Sequence, residues 1–202
     1  VDEYSVYYDS AYVLAVPTKR GYTFCGWYSA IENGTQYTDE NGVALAPWTQ
    51  TSNGLVLYAR WVASEYRLIF NQDGGSEGTE EAAVTFAEAL PTDVTPPVRT
   101  GYIFRGYFTE RNGNGECWYD ETMTACISLW DVANDVTLYA LWGSTVYTIT
   151  FDMQGGEGGT ETTMASLQES MPTATAPTRI GYKFQGYYSE ENGGGTQYYN
   201  AY

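Results

Sequence analysis

The side chains able to do chemistry in this 202-residue chain are mostly carboxylates: 25 acidic residues stand against 9 basic ones, giving a formal charge of −16. Histidine is absent from the sequence. That excludes a Ser-His-Asp or Cys-His nucleophile pair, a His-held zinc and an imidazole general base. The carboxylates cluster at Asp39-Glu40, at Asp73, Glu77, Glu80 and Glu81, and at Glu190-Glu191. Several oxygens around one point could take calcium, and a carboxylate pair could hydrolyse a glycoside. None of the clusters has the regular acidic spacing of an EF-hand loop, and glycosidase chemistry needs a cleft. They are read as solvated loops that keep the protein soluble, and no catalytic residue, metal ligand or cofactor is assigned. The same charge repels phosphate backbones and anionic lipid, so nucleic acid is excluded as a partner.

Three cysteines remain. Cys117 and Cys126 lie nine residues apart and either bridge or pack as two separate small side chains; Cys25 has no nearby partner and is read as a plain thiol. Asn33-Gly34-Thr35 matches a glycosylation acceptor, with Asn33 as the candidate. The 20 Tyr, 6 Trp and 7 Phe raise carbohydrate stacking as a function. Most of them recur at regular inward positions and are read as core. The less regular ones, Tyr7, Tyr8, Tyr12, Trp48, Trp118 and Trp130, are the candidates for an exposed platform, with Trp48, Trp118 and Trp130 foremost.

The elements carrying these residues repeat. Gly21-Tyr22-Thr23-Phe24-Cys25-Gly26 returns 80 residues later as Gly101-Tyr102-Ile103-Phe104-Arg105-Gly106 and again as Gly181-Tyr182-Lys183-Phe184-Gln185-Gly186. Each block follows a proline (Pro17, Pro97, Pro177) and a base (Lys19, Arg99, Arg179), and precedes an Asn-Gly pair. Leu57-Tyr58-Ala59-Arg60-Trp61 recurs as Leu138-Tyr139-Ala140-Leu141-Trp142, and Tyr66 to Phe70 recurs as Tyr147 to Phe151. Interleaved landmarks at one period mark a tandem array. A unit of 81 residues is longer than the ~20–45 of a solenoid repeat and can bury a small core of its own. The array divides into 1–61, 62–142 and 143–202, joined by Val62-Ala63-Ser64-Glu65 and Gly143-Ser144-Thr145-Val146 as linkers.

Locally the chain reads as β. Tyr66, Leu68 and Phe70 alternate with Arg67 and Ile69, and Leu138, Ala140 and Trp142 with Tyr139 and Leu141, so each set shares one face of a strand. Mid-run Gly26, Gly106 and Gly186 mark a bulge or the close approach of another backbone. Short helical turns are expected at most over Phe86–Leu90 and Ser166–Met171, each stopped by a proline. No apolar run approaches the ~20 residues that cross a bilayer, and an export signal or anchor is expected outside this window.

The combined pattern of Tyr-x-Ile-x-Phe, Pro-x-Lys/Arg-x-Gly-Tyr-x-Phe-x-Gly, Asn-Gly and Leu-Tyr-Ala-x-Trp resembles the Listeria–Bacteroides repeat, also called the internalin B-type repeat, over essentially the whole chain. Tyr107 and Tyr187 stand where the family favours Trp, as at Trp27. The resemblance implies mostly β structure in tandem small β-grasp-like (ubiquitin-like) modules, beads on a string, in bacterial surface and secreted proteins. It implies no catalytic residues, and an exported setting that favours the Cys117–Cys126 bridge. The expected function is an extracellular structural protein at or beyond the cell surface, acting as stalk, spacer or filament subunit. The alternative is an adhesion module that binds glycans or a partner protein through exposed aromatics. Residues 1–61 contain no Tyr-x-Ile-x-Phe segment and 143–202 no Leu-Tyr-Ala-x-Trp segment. The chain is accordingly expected to be a window on a longer array, a filament protomer completed by strand addition from a neighbouring copy, or a plain fragment.

Overall fold

The computed structural model describes residues 3–167 and 169–201. It is mostly β, in several small sheets. The first repeat contributes β1 (Tyr22–Tyr28) and β2 (Tyr58–Ala63). The second holds β3 (Glu65–Asn71), β4 (Glu81–Thr85), β5 (Tyr102–Phe108), β6 (Cys117–Tyr119) and β7 (Val136–Ser144). The third has β8 (Val146–Thr150), β9 (Thr162–Ser166), β10 (Tyr187–Tyr188) and β11 (Gln197–Tyr199). Helix among the described residues amounts to single 3-10 turns at Arg111–Gly113 and Glu191–Gly193. Both lie on Asn-Gly pairs, where Asn112 (φ 63°) and Asn192 (φ 58°) take the left-handed conformation that asparagine tolerates.

Over 86–90 the expected short turn forms, with Glu88 N–H donating to Thr85 O at 3.1 Å, but it does not continue as helix. There the backbone is stitched to a distant loop instead: Ala87 N–H donates to Trp130 O at 2.7 Å and Trp130 N–H to Glu88 O at 2.8 Å. The second expected turn, over 166–171, includes Gln168, which lies outside the described residues; β9 ends at Ser166 and Leu167 is in a turn.

Among the described residues only the second repeat builds a five-stranded sheet, in the order β4-β3-β7-β5-β6. β3 and β4 form an antiparallel hairpin, and β7 returns parallel to β3 with Leu68 opposite Val136 and Phe70 opposite Leu138. The inward set of β3 and β7 supplies the core: Leu68, Phe70, Leu138 and Ala140 are all buried. Each large apolar side chain so buried stabilises the module by roughly 1.5–3 kcal/mol. β5 pairs with β6 with a register shift between Tyr107 and Phe108, and just before it Gly106 has φ 122° and approaches Tyr119 O so closely that a Cβ would stand 2.5 Å from it. Gly26 repeats this geometry against Thr38 O and Gly186 against Tyr199 O.

Residues that form strands in the second repeat are irregular in the others wherever a neighbour strand is missing. Residues 136–138 belong to β7, flanked by β3; their counterparts 55–57 carry no strand, and β2 begins only at Tyr58 on its β1 partner. Likewise 102–106 belong to β5 beside β7, whereas 182–186 form no strand. Backbone amides need partners to hold an extended conformation, so identical local patterns give different structure.

The four-residue linkers contract to single residues: β2 runs to Ala63 and β3 starts at Glu65, while β7 ends at Ser144 and β8 starts at Val146. At the first junction Phe86 covers Gly21, leaving no room for a Cβ there, and meets Tyr22 edge-on at 5.4 Å. Ser64 N–H donates to Gly21 O, Phe86 N–H to Ser64 O, and the Arg20 guanidinium to Asp131 O. Leu167 lies on Gly101 in the corresponding way. By compactness the chain divides into 1–97 with 105–141, and 98–104 with 142–201 of its described residues. Replacing Phe86 by Ala removes an aromatic contact of about 1 kcal/mol beyond its buried area. Faster amide exchange at Ser64, by roughly tenfold, is the expected result.

Candidate functional site

The third repeat holds an apolar concavity of about 790 Å³ lined by β8, the end of β9 and residues 186–193 and 198–199. Its floor is Ile149, Phe151, Leu167, Met171, Tyr187 and Tyr199, and Asp152, Glu190 and Glu191 stand on its rim. β8 pairs with β9 on its other edge, in the register Ile149 opposite Thr163 and Thr150 opposite Thr162. Three rings anchor the floor: Phe151 lies 4.6 Å from Tyr187 and 5.3 Å from Tyr199. The equivalent rings of the second repeat, Phe70 with Tyr107 and Tyr119, stand at 4.9 and 5.7 Å with β7 in place between β3 and β5. Tyr199 Oη donates to Pro172 O at 2.7 Å, as Tyr119 Oη does to Pro91 O at 2.9 Å. The same aromatic framework thus recurs in the two repeats.

Two aromatics expected on the surface are core instead. Trp130 is fully buried and Trp118 is 4 % exposed. The loop 120–135 folds back over β6, so Trp118 meets Trp130 edge-on at 5.3 Å and Trp130 stacks on Tyr66 at 6.4 Å. Trp48 is half-buried against Tyr12 and Tyr37, its indole N–H donating to Gln50 O. Of the irregular aromatics, Tyr7 (81 % exposed) and Tyr8 (64 %) stand in solvent. The bases before each Gly-Tyr block lie over the tyrosine: Lys19 on Tyr22 at 3.6 Å, Arg99 on Tyr102 at 4.0 Å and Arg179 on Tyr182 at 4.2 Å. Sequence reasoning missed the groove as a site because its lining consists of ordinary core positions.

Asn33 is exposed in a left-handed turn with φ 51°. All three cysteines are free thiols, Cys117 Sγ donating to Tyr119 O at 3.4 Å and Cys126 Sγ to Thr124 O at 4.0 Å. Burial, reinforced by the neighbouring Cys126 thiol, pushes the Cys117 thiol up to about 12. Burial also pushes the Tyr119 hydroxyl up to about 12, with the Asp93 charge adding to it, and raises Tyr107 further. Hydrogen bonds from the Thr122 hydroxyl and then the Thr124 and Thr122 amides hold the Asp120 carboxyl below its usual range, and the Arg67 amide and guanidinium do so for Asp135. Among the described residues no group of three or more His, Cys, Asp or Glu is placed to hold a metal ion. No helix of the described residues is long and apolar enough to cross a membrane.

The raised groups set an alkaline limit. A neutral side chain with ordinary values of 9 (Cys117) or 10 (Tyr119) ionises first in the unfolded chain, so its stabilisation is complete below those values and is lost as pH climbs to about 12. Urea midpoints of the second repeat are expected to hold level from pH 7 to 9 and fall steadily from pH 10 to 12.

The family model described as Listeria-Bacteroides repeat domain matches the sequence three times, at 2–60, 66–141 and 147–201. A protein of Evansella cellulosilytica, a Gly-rich membrane protein by name, is 30% identical over 181 residues, covering 87% of this chain and 18% of the relative. Internalin H of Listeria monocytogenes is 31% identical over 163 residues, covering 80% of this chain and 27% of the relative. The chain thus spans less than a third of the length of these curated relatives. No solved structure matches it.

Proposed function

The chain belongs to the Listeria-Bacteroides repeat domain family, and from that premise we propose that it is a structural, non-enzymatic spacer of a bacterial cell-surface or secreted assembly, built of β-grasp-like modules. The module reading is supported by the second repeat, whose strands lie in the order second-first-fifth-third-fourth with first and fifth parallel. The surface setting is supported by the names of the relatives, one an internalin and one a membrane protein. The observation that carries the spacer role is the recurring junction: single-residue linkers, with Phe86 on Gly21 and Leu167 on Gly101. Stitched junctions make length additive and hinge bending costly, which is what a spacer needs.

Tandem fusions of one, two and three copies of the 202-residue chain test this by small-angle scattering. Maximum dimension should rise in proportion to copy number; growth as the cube root, as for a collapsed globule, would sink the spacer role. The exposed Tyr7 and Tyr8 favour a second reading, binding to a glycan or partner protein at the first repeat. Its test is a glycan array in which Tyr7→Ala with Tyr8→Ala abolishes any signal given by the parent chain.

A further inference from the structure

We infer that the second repeat carries tension, with the parallel β3–β7 pair as the clamp that must be sheared before the repeat can lengthen. The inference rests on the spacer reading for the source of the load; the resistance itself follows from how the chain enters and leaves this sheet. The linker from the first repeat is one residue and hands the chain to β3 at Glu65; the chain leaves along β7, which ends at Ser144. The two strands are hydrogen-bonded neighbours and run in the same direction. Leu68 stands opposite Val136, Ile69 opposite Thr137, Phe70 opposite Leu138 and Asn71 opposite Tyr139. Entry and exit therefore lie at opposite ends of the pair. A pull along the chain slides β3 against β7 and loads the evenly spaced bonds between them together. In an antiparallel pair the same two ends would lie side by side, and a pull would open the bonds one at a time.

Side chains oppose the same slide. Leu68, Phe70, Leu138 and Ala140 are buried, and Phe70 meets Tyr107 at 4.9 Å and Tyr119 at 5.7 Å. A slip of one residue would set inward side chains against outward ones, so the core cannot follow the strands part of the way. Charged latches stand at both ends of the paired stretch. Before it, the Asp135 carboxylate accepts from the Arg67 amide at 2.9 Å and from Arg67 Nε at 3.0 Å. Beyond it, the Arg111 guanidinium pairs with the Asp73 carboxylate and lies over the Tyr139 ring at 4.9 Å. Arg67 thus ties β3 to the residue before β7, and Arg111 ties the loop after β3 to β7 itself. Exposed ion pairs add little to equilibrium stability. Forced unfolding, however, is governed by the barrier along the pulling direction, and both latches cross the plane of shear.

The test pulls the same pair in two directions. In the intact 202-residue chain, Cys25, Cys117 and Cys126 are replaced by serine, and force handles are attached through two new thiols. Glu65→Cys with Ser144→Cys shears the pair; Glu65→Cys with Asn134→Cys peels it from one end. All three attachment residues are exposed. Forces are read against each chain's own urea midpoint, so a difference in stability cannot pass for a difference in direction.

Single-molecule force spectroscopy is expected to give a rupture force at least about threefold higher in shear than in peeling. The shear rupture should release about 240 Å, as ~80 residues extend. The unsubstituted chain, stretched by handles on its termini, gives a second measurement: the same release should appear at the shear force. Equal forces in the two directions, or a release from the unsubstituted chain at the peeling force, would overturn the clamp. Failure of the clamp and failure of the spacer reading are separable, because scattering reads extension at rest and an array can span distance without bearing load.

Discussion

Trp130→Ala is expected to lower the stability of the second repeat by about 3–5 kcal/mol, the largest effect of any single side-chain truncation here. The indole is fully buried, stacks on Tyr66 and receives the edge of Trp118, so its loss leaves a cavity at a three-ring contact. Its backbone also bonds both ways with the 87–88 turn, which ties the loop 120–135 to the end of β4. Truncation thus releases packing that holds a loop as well as a core. The indole N–H has no hydrogen-bond partner although it is buried. Trp130→Phe removes that unsatisfied donor and should therefore cost clearly less than the alanine variant. Urea unfolding followed by near-ultraviolet circular dichroism separates the two. Equal losses in both variants would mean that ring size, not the buried N–H, sets the cost.

Gly106→Ala is the second. A φ of 122° suits glycine alone, and the added Cβ would lie 2.5 Å from Tyr119 O, a backbone atom held by the β5–β6 pairing. Neither strand can shift without breaking that hairpin, so a loss of about 3 kcal/mol is expected. Gly158→Ala is the control: it also has positive φ (76°), but nothing lies within 4 Å of its Cβ position. It should cost only about 1 kcal/mol. Comparable midpoints for the two variants would show that backbone strain rather than the close approach dominates at Gly106.

Much of this was open to reading along the chain. The alternation of Leu68 and Phe70 with Arg67 and Ile69 places the inward residues of β3, and the same holds for Leu138 and Ala140 in β7. Gly26, Gly106 and Gly186 mark a close backbone approach at each recurrence. The aromatics were harder. Trp118 and Tyr119 are consecutive and both buried, which breaks period two, and Trp130 sits outside any strand. Their burial depends on a loop folding back, and loops carry no periodic signal.

The order of amino acids determined by itself the repeat period, the inward faces and the turns at Asn-Gly, because each rests on neighbours within a few residues. Only the tertiary structure decided that β3 pairs in parallel with the distant β7, that 182–186 is irregular while 102–106 is strand, and that the loop 120–135 buries Trp130. Those outcomes turn on which backbone edge finds a partner. A strand's hydrogen bonds are made to another segment, so the same residues are strand beside a neighbour and loop without one.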